Sequence, residues 1–227
     1  MFRDGHMKRR DFLAAMGALG FTVTTAGSLL PSASALAETP KKGGRLRFAW
    51  DQHGPADTLD PALNTATIDY VRGRCYYNRL TQFNPDLSLR GDLAEEWSVN
   101  SNATEFTFKL RKGVTFHDGA DFTADDALYA MNRHLGADSI SKASSLVSMV
   151  SEWKKIDKYT IKAILSSPNA DLASILGTFH INVVQNGAEG EYFQKPNATG
   201  PFTVEEFIPG VRSVGKRNPN YFRDGPY

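Results

Sequence analysis

Strand-like and helix-like segments alternate along the chain, which predicts a mixed α/β fold. Three observations carry that reading. "RLRFAW" at residues 45–50 and "YTIKAIL" at residues 159–165 alternate at the two-residue period of a half-buried strand. Apolar residues recur at helical spacing between Thr67 and Leu80, and again from Ala124 to Leu135. Clusters of Gly, Pro, Asn and Asp punctuate these runs, as "DQHGPADTLDPALN" and "NPDLSLRG" illustrate. With 41% hydrophobic and 22% charged residues, the composition is that of a globular protein with a sizeable core.

The first 37 residues stand apart from this pattern. "MKRRDFLAAMGALGFTVTTAGSLLPSASALA" opens on Lys8, Arg9 and Arg10, continues mildly apolar and ends on small residues at Ala35 and Ala37. That is the grammar of a signal peptide, with Glu38 as the first mature residue. Arg9-Arg10 followed by Asp11-Phe12-Leu13 resembles a twin-arginine export signal. The competing reading is a membrane anchor, which Gly17, Gly20, Gly27 and several threonines weaken. Export predicts a soluble protein of the periplasm or the extracellular space. The lone Cys75 then has no partner for an internal disulfide and reads as a buried structural thiol.

Along the mature chain the elements follow in order. Leu46, Phe48 and Trp50 give the first strand its apolar face. A helix from Thr67 is expected to turn Ile68, Val71, Cys75 and Leu80 to one side. "ATEFTFKLRKGVTF" predicts a hairpin with Phe106, Phe108 and Leu110 on one face and Lys112-Gly113 as its turn. The next helix starts at Ala124, with Ala127, Leu128, Met131 and Leu135 at helical spacing. Residues 138–151 read as a weak helix, "DLASILG" as a short one capped by Gly177, and "HINVVQ" as a further strand. Two last strands joined by Pro209-Gly210 close the sequence, which ends on a turn-like "RDGPY".

Charge excludes one class of partner. Lys plus Arg number 26 against 25 Asp plus Glu, with no basic stripe, so no nucleic-acid partner is expected. None of His6, His53, His117, His134 and His180 has a second histidine at metal-binding spacing, and no nucleophile elbow, phosphate loop or dinucleotide fingerprint occurs. No metal, cofactor or catalytic residue is therefore expected. Two Asn-x-Thr triplets, at Asn102 and Asn197, read as turns rather than glycan acceptors.

Only "RKGVTFHDGADFTADD" (residues 111–126) gathers chemistry-bearing residues, one histidine and four aspartates. Each has a structural role open to it. Asp118-Gly119 favours a tight turn, and Thr123 with Asp126 three residues on makes a capping box. Asp125 and Asp126 place negative charge in the first helical turn. His117 reads as a hydrogen-bonded turn residue, with a ligand or general-base role as the alternative.

"GDLAEEWSVNSNATEFTFKLRKGVTFHDGADFTADDALYAMNR" resembles the signature of the family 5 extracellular solute-binding proteins, peptide- and nickel-binding partners of ABC importers. The likeness extends to "GGRLRFAWDQHGPADTLDPALN" and "ATGPFTVEEFIPGVRSVGKRNPNYF", covering nearly all of residues 43–225 in the expected order. The resemblance implies a class II periplasmic-binding-protein fold: two hinged lobes, the first with an inserted subdomain. Residues 38–62 would hold the first strand region of lobe I, residues 63–190 its insertion and residues 191–227 the return, with the chain ending before lobe II. Function would be the capture of a short peptide by lobe closure and its delivery to an ABC permease in the inner membrane, by a monomeric periplasmic protein. Nickel chelates, haem, opines and sugars remain open as cargo within the family. From other classes come an exported hydrolase using His117 and nearby aspartates, or an exported interaction or chaperone-like protein working as a single lobe.

By the position of the family's pocket, Asn64, Thr65, Thr67 and Tyr70 are the first ligand-binding candidates. His180 and Asn182 follow from a second wall, and Ser144 and Ser145 rank behind them as candidates. Asp60, beside Pro61, is expected to shape its loop rather than touch ligand.

Overall fold

The computed structural model describes residues 43–223. The export-signal reading of residues 1–37 lies outside the described residues. The chain divides into two units: Met1–Leu46 with Tyr227, of which residues 43–46 are described, and Arg47–Pro226, which carries every element below.

The strand predicted at residues 45–50 does not form; Leu46, Phe48 and Trp50 are exposed, and the segment pairs with no other among the described residues. Alternation supplies an apolar face, but a strand also needs a ladder partner for its backbone groups. Beyond it, Asp60 caps a 3-10 turn at Pro61–Leu63 by accepting from the Ala62 N–H at 3.0 Å, with proline at the first position. Arg133 clasps the same carboxylate through both terminal nitrogens, at 2.9 and 2.6 Å. Asp60 therefore shapes the loop, as expected.

Helix α1 spans Thr67–Tyr76, and the Asp69 carboxylate accepts from the Ala66 N–H at its start, at 3.3 Å. The side it buries is not the apolar one. Asp69, Arg72, Gly73 and Tyr76 face inward, while Ile68, Val71 and Cys75 stay partly exposed and Leu80 is buried beyond the helix. Burial of the charged face is compensated, because the Arg72 guanidinium meets Asp57 at 2.9 Å and Asp69 at 3.2 Å. Its Nε also donates to Ser213 Oγ at 3.2 Å.

Among the described residues, eight strands form three sheets. Strands β1 (Thr81–Phe83) and β2 (Leu89–Gly91) make a small ribbon. The central sheet joins β3 (Ala94–Val99), β4 (Glu105–Leu110), β5 (Val150–Asp157) and β6 (Thr160–Leu165) in the order β3-β4-β6-β5, all neighbours antiparallel. The ribbon of β7 (Phe202–Ile208) and β8 (Arg212–Arg217) turns at Pro209-Gly210, where Gly210 takes φ +71°.

Phe106, Phe108 and Leu110 are buried as their alternation predicts. The hairpin, however, lies on the other side of β4: β3 precedes it through a turn in which Asn100 Oδ1 accepts from the Thr104 and Glu105 N–H groups. Lys112-Gly113, with Gly113 at φ +75°, instead redirects the chain out of the sheet. Helix α2 (Ala124–Asn132) packs on β5 and β6. Its Ala124, Ala127, Ala130 and Met131 are buried in the core shared with Phe106, Phe108, Phe116, Phe122 and Ile161. Helix α3 (Leu172–Ile175) buries Leu172 and Ala173 and precedes Gly177.

Two other expectations fail. The helix in residues 138–151 reduces to a 3-10 turn at Ser144–Val147, followed at once by β5. "HINVVQ" forms no strand; Ile181, Asn182, Val183 and Val184 are all buried, and the Val183 N–H donates to the Asn78 carbonyl at 2.8 Å. A run buried on every side lacks the two-faced alternation that marks a half-buried strand. Among the described residues, no helix is long and apolar enough to cross a membrane.

Candidate functional site

Four of the six residues expected at the ligand site converge where α1 meets the segment after α3. Tyr70 stands beside Phe179, ring centroids 4.0 Å apart, and beside His180 at 5.2 Å; Phe179 and His180 are 4.4 Å apart. The Tyr70 hydroxyl lies 3.4 Å from His180 Nε2. Phe179 is exposed and its two partners partly so, so this is a three-ring wall facing solvent. Burial, then the nearby Arg79 charge, lowers the His180 pKa and so favours the neutral ring. Burial and the Asp69 carboxylate together raise that of the Tyr70 hydroxyl.

One turn beyond Tyr70 on the same side of α1 is Gly73. A Cβ at Gly73 would stand 3.4 Å from Asn182 Nδ2 and 3.6 Å from Asn64 Nδ2, so both amides border this glycine. Each is oriented by a backbone carbonyl: Asn182 Nδ2 donates to Phe179 O at 2.9 Å, and Asn64 Nδ2 to Asp69 O at 3.5 Å. Both residues are 2% exposed, and their Oδ1 atoms have no hydrogen-bond partner among the described residues. Arg79 Nε and His180 Nδ1 are unpartnered in the same way. Arg79 is buried, donates through NH1 to Gly177 O at 3.3 Å, and has its pKa lowered to about 10 by burial. Four unmet buried polar atoms in one neighbourhood are unusual, since such groups nearly always find partners.

Thr65 and Thr67 lie outside this cluster. Thr65 lines a cavity of about 290 Å³ with Gln52, His53, Gly54, Ala56, Asp57, Ala66 and Asp69. Thr67 is exposed and donates from Oγ1 to Gln52 Oε1 at 2.8 Å, on the same rim. Asp69 joins the two places, lining the cavity while its carbonyl accepts from Asn64. Ser144 and Ser145 sit in the 3-10 turn, where the Ser144 N–H donates to Ser141 O and the Ser145 carbonyl accepts from Ser148 Oγ.

Sequence reasoning missed Gly73, Arg79 and Phe179. A glycine at the seventh position of a ten-residue helix was the one available signal, because glycine costs about 1 kcal/mol there relative to alanine.

Residues 111–126 do structural work. His117 Nε2 lies 3.1 Å from Gly200 O and must carry the proton; Nδ1 then accepts from the Ala198 N–H at 3.3 Å. Burial lowers the pKa of His117, keeping it neutral. The Asp118 N–H donates to Asn197 Oδ1 at 3.0 Å. Asp126 accepts from the Thr123 N–H at 2.9 Å as part of the capping box, and the Asp125 N–H also donates to Thr123 Oγ1 at 3.3 Å. Asp121 and Asp125 pair at the surface with Lys158 and Lys155. Among the described residues, no group of three or more His, Cys, Asp or Glu is placed to hold a metal. Cys75 is partly buried, and that burial raises its pKa.

Known proteins share this arrangement of elements. The chain is 29% identical to the dipeptide-binding protein of Escherichia coli K12 over 201 residues, covering 76% of this chain and 38% of that protein. Its identity to the glutathione-binding protein GsiB of Salmonella choleraesuis is 28%, over 65% of this chain and 30% of the relative. The structure of DppA from Helicobacter pylori in complex with the peptide STSA superposes with a TM-score of 0.67 at 25% identity, over 77% of this chain and 40% of that one. AgaA of A. tumefacien R10 in complex with agropinic acid gives 0.68 at 25%, over 74% and 35%. NikZ of Campylobacter jejuni, in complex with Ni(L-His), shares the fold with a TM-score of 0.66 at 22% identity, over 74% and 34%. The chain spans well under half the length of these relatives. Residues 88–227, more than half of the chain, match the family described as bacterial extracellular solute-binding proteins, family 5 middle. The chain belongs to that family.

Proposed function

We propose that this chain belongs to the substrate-binding component of an ABC importer, a periplasmic protein that binds a short peptide and passes it to an inner-membrane permease. One observation carries the reading: a solvent-facing wall of Tyr70, Phe179 and His180 adjoins the buried side chains of Asn64 and Asn182, whose amide oxygens have no hydrogen-bond partner among the described residues. Apolar walls with a few convergent polar groups are the usual make-up of a small-ligand site. Similarity to a dipeptide-binding and a glutathione-binding protein supports a peptide cargo. Residues 38–62 and 191–227 serve as lobe I in this reading, with residues 63–190 as its insertion. In this reading Thr65 and Thr67, at the separate neighbouring cavity and its rim, extend the ligand region. The hydrolase reading loses its base, because both ring nitrogens of His117 are engaged with the backbone.

Thermal unfolding in the presence of di- and tripeptides, glutathione, opines, nickel-histidine and sugars tests the assignment. A ligand at a hundred times its Kd stabilises by about 2.7 kcal/mol. Stabilisation by peptides above the other classes is the expected outcome. A flat response to every peptide, or a shift with another class alone, overturns the peptide assignment.

A further inference from the structure

We propose that the β7–β8 turn holds the lining of the cavity beside α1 in place, and that Gly210, Arg72 and Ser213 are positioning residues for ligand affinity that line no part of it. This rests on the peptide-binding reading, in which the ligand region extends into that cavity. Five of its eight lining residues lie between Gln52 and Asp57, and the others at or just before the start of α1. The stretch from Gln52 to Asp57 belongs to no helix or strand, so turn and side-chain contacts decide where it sits. Asp57 is their centre. Its N–H donates to Gly54 O at 3.0 Å and its Oδ1 accepts from the Gly54 N–H at 2.9 Å, which closes the stretch on itself. Its Oδ2 accepts from Arg72 NH1 at 2.9 Å and from the Gly210 N–H at 3.3 Å, which ties it to α1 and to the β7–β8 turn.

The ribbon acts on this stretch by two routes, one ionic and one steric. Arg72 is itself held from the ribbon: its Nε donates to Ser213 Oγ on β8 at 3.2 Å, and its guanidinium lies over the Phe207 ring of β7 at 5.2 Å. The partner of the Asp57 carboxylate is therefore fixed on its far side. Gly210 meets the stretch directly, because a Cβ there would stand 2.9 Å from Gly54 C and 3.1 Å from Gly54 O. Any side chain at residue 210 must push the Gly54 backbone away, and the φ of +71° favours glycine as well. A binding site weakens when the groups supporting its lining are loose by as little as about 1 Å. Changes in the turn are thus felt at the cavity, although the turn contributes none of its lining.

Gly210→Asn, Ser213→Ala and Gly91→Ala are compared with the parent, each as the full chain and at a temperature where it is folded. The readouts are amide hydrogen exchange and titration with Ala-Phe, Ala-Ala-Phe and glutathione. Asparagine takes positive φ more readily than most residues, so Gly210→Asn tests the contact with Gly54 more than the conformation of the turn. It is expected to speed exchange of the Gly54 and Asp57 amides at least tenfold and to weaken peptide binding at least tenfold. Ser213→Ala releases Arg72 without adding bulk; a loss of at least threefold in affinity is expected, and this variant decides alone if Gly210→Asn does not fold. Gly91→Ala is the control. Its Cβ would stand 2.3 Å from Ala94 O, and neither residue lines the cavity, so its Tm is expected to fall while its affinity stays within twofold of the parent. Affinity within twofold of the parent in the ribbon variants would overturn the proposal while leaving peptide binding intact, and so would unchanged exchange at Gly54 and Asp57. An equal loss of affinity in Gly91→Ala would also overturn it, because the effect would then follow general stability. Failure of the parent to bind any of the three peptides would overturn both readings.

Discussion

His134 is 3% exposed, and its Nδ1 lies 2.6 Å from Ser141 Oγ. Burial first, then the charge of Arg133, lowers its pKa to about 4; the Asp60 carboxylate acts in the opposite sense, and His180 adds slightly to the depression. The unfolded chain takes up this proton near the ordinary value of about 6.5, the native chain only near 4. Stability from the neutral, buried ring is therefore complete above pH 6.5, falls as the pH drops towards 4, and changes no further below it. The full loss is about 3 kcal/mol. Urea unfolding between pH 4 and pH 8 is expected to show this decline, reduced by close to one proton's slope in His134→Gln. An unchanged slope in that variant would remove His134 from the account.

At the scale of single elements, α2 shows how a local signal is reinforced by distant contacts. The capping box of Thr123 and Asp126 was legible because both partners lie within one turn of each other. What the spacing does not contain is the second task of Asp126, whose Oδ1 accepts from the Asn186 N–H at 3.0 Å. Asp126→Ala should thus cost about 2 kcal/mol, above the typical loss of a cap alone. Chemical denaturation of Asp126→Ala and Thr123→Ala side by side checks this, with the aspartate variant expected to be the less stable. Helix α1 is the opposite case. Its apolar residues suggested one buried face, but the ion pairs of Arg72 with Asp57 and Asp69 let a charged face go inside.

Across the whole molecule, the segment at residues 198–200 ties distant parts together. The Gly200 N–H donates to the Tyr76 carbonyl at 2.9 Å, His117 bonds to Ala198 and Gly200, and Thr199 Oγ1 donates to Asn78 Oδ1 at 3.0 Å. Contact at Gly200 is so close that a Cβ there would lie 2.3 Å from the carbonyl of Tyr76. Gly200→Ala is expected to destabilise by about 3 kcal/mol or more, since rigid backbone on both sides must move apart. Thermal unfolding measures it; a variant as stable as the parent would show that the two segments separate easily.

The sequence by itself determined whatever depends on neighbours within a few residues: the α2 cap, the buried alternation of β4 and β6, the turn at Gly210, and the family to which the quoted runs point. It also placed Asn64, Tyr70, His180 and Asn182 among the ligand candidates, though through the resemblance and not through any spacing of their own. Only the tertiary structure decided that residues 45–50 and 180–185 form no strand, that β4 pairs backward with β3, and that Gly73 and Phe179 join the asparagines and Tyr70 at one place. The physical reason is range. Caps, turns and alternation are fixed by local geometry, whereas strand pairing, charge compensation and the meeting of residues more than a hundred positions apart depend on how the elements pack.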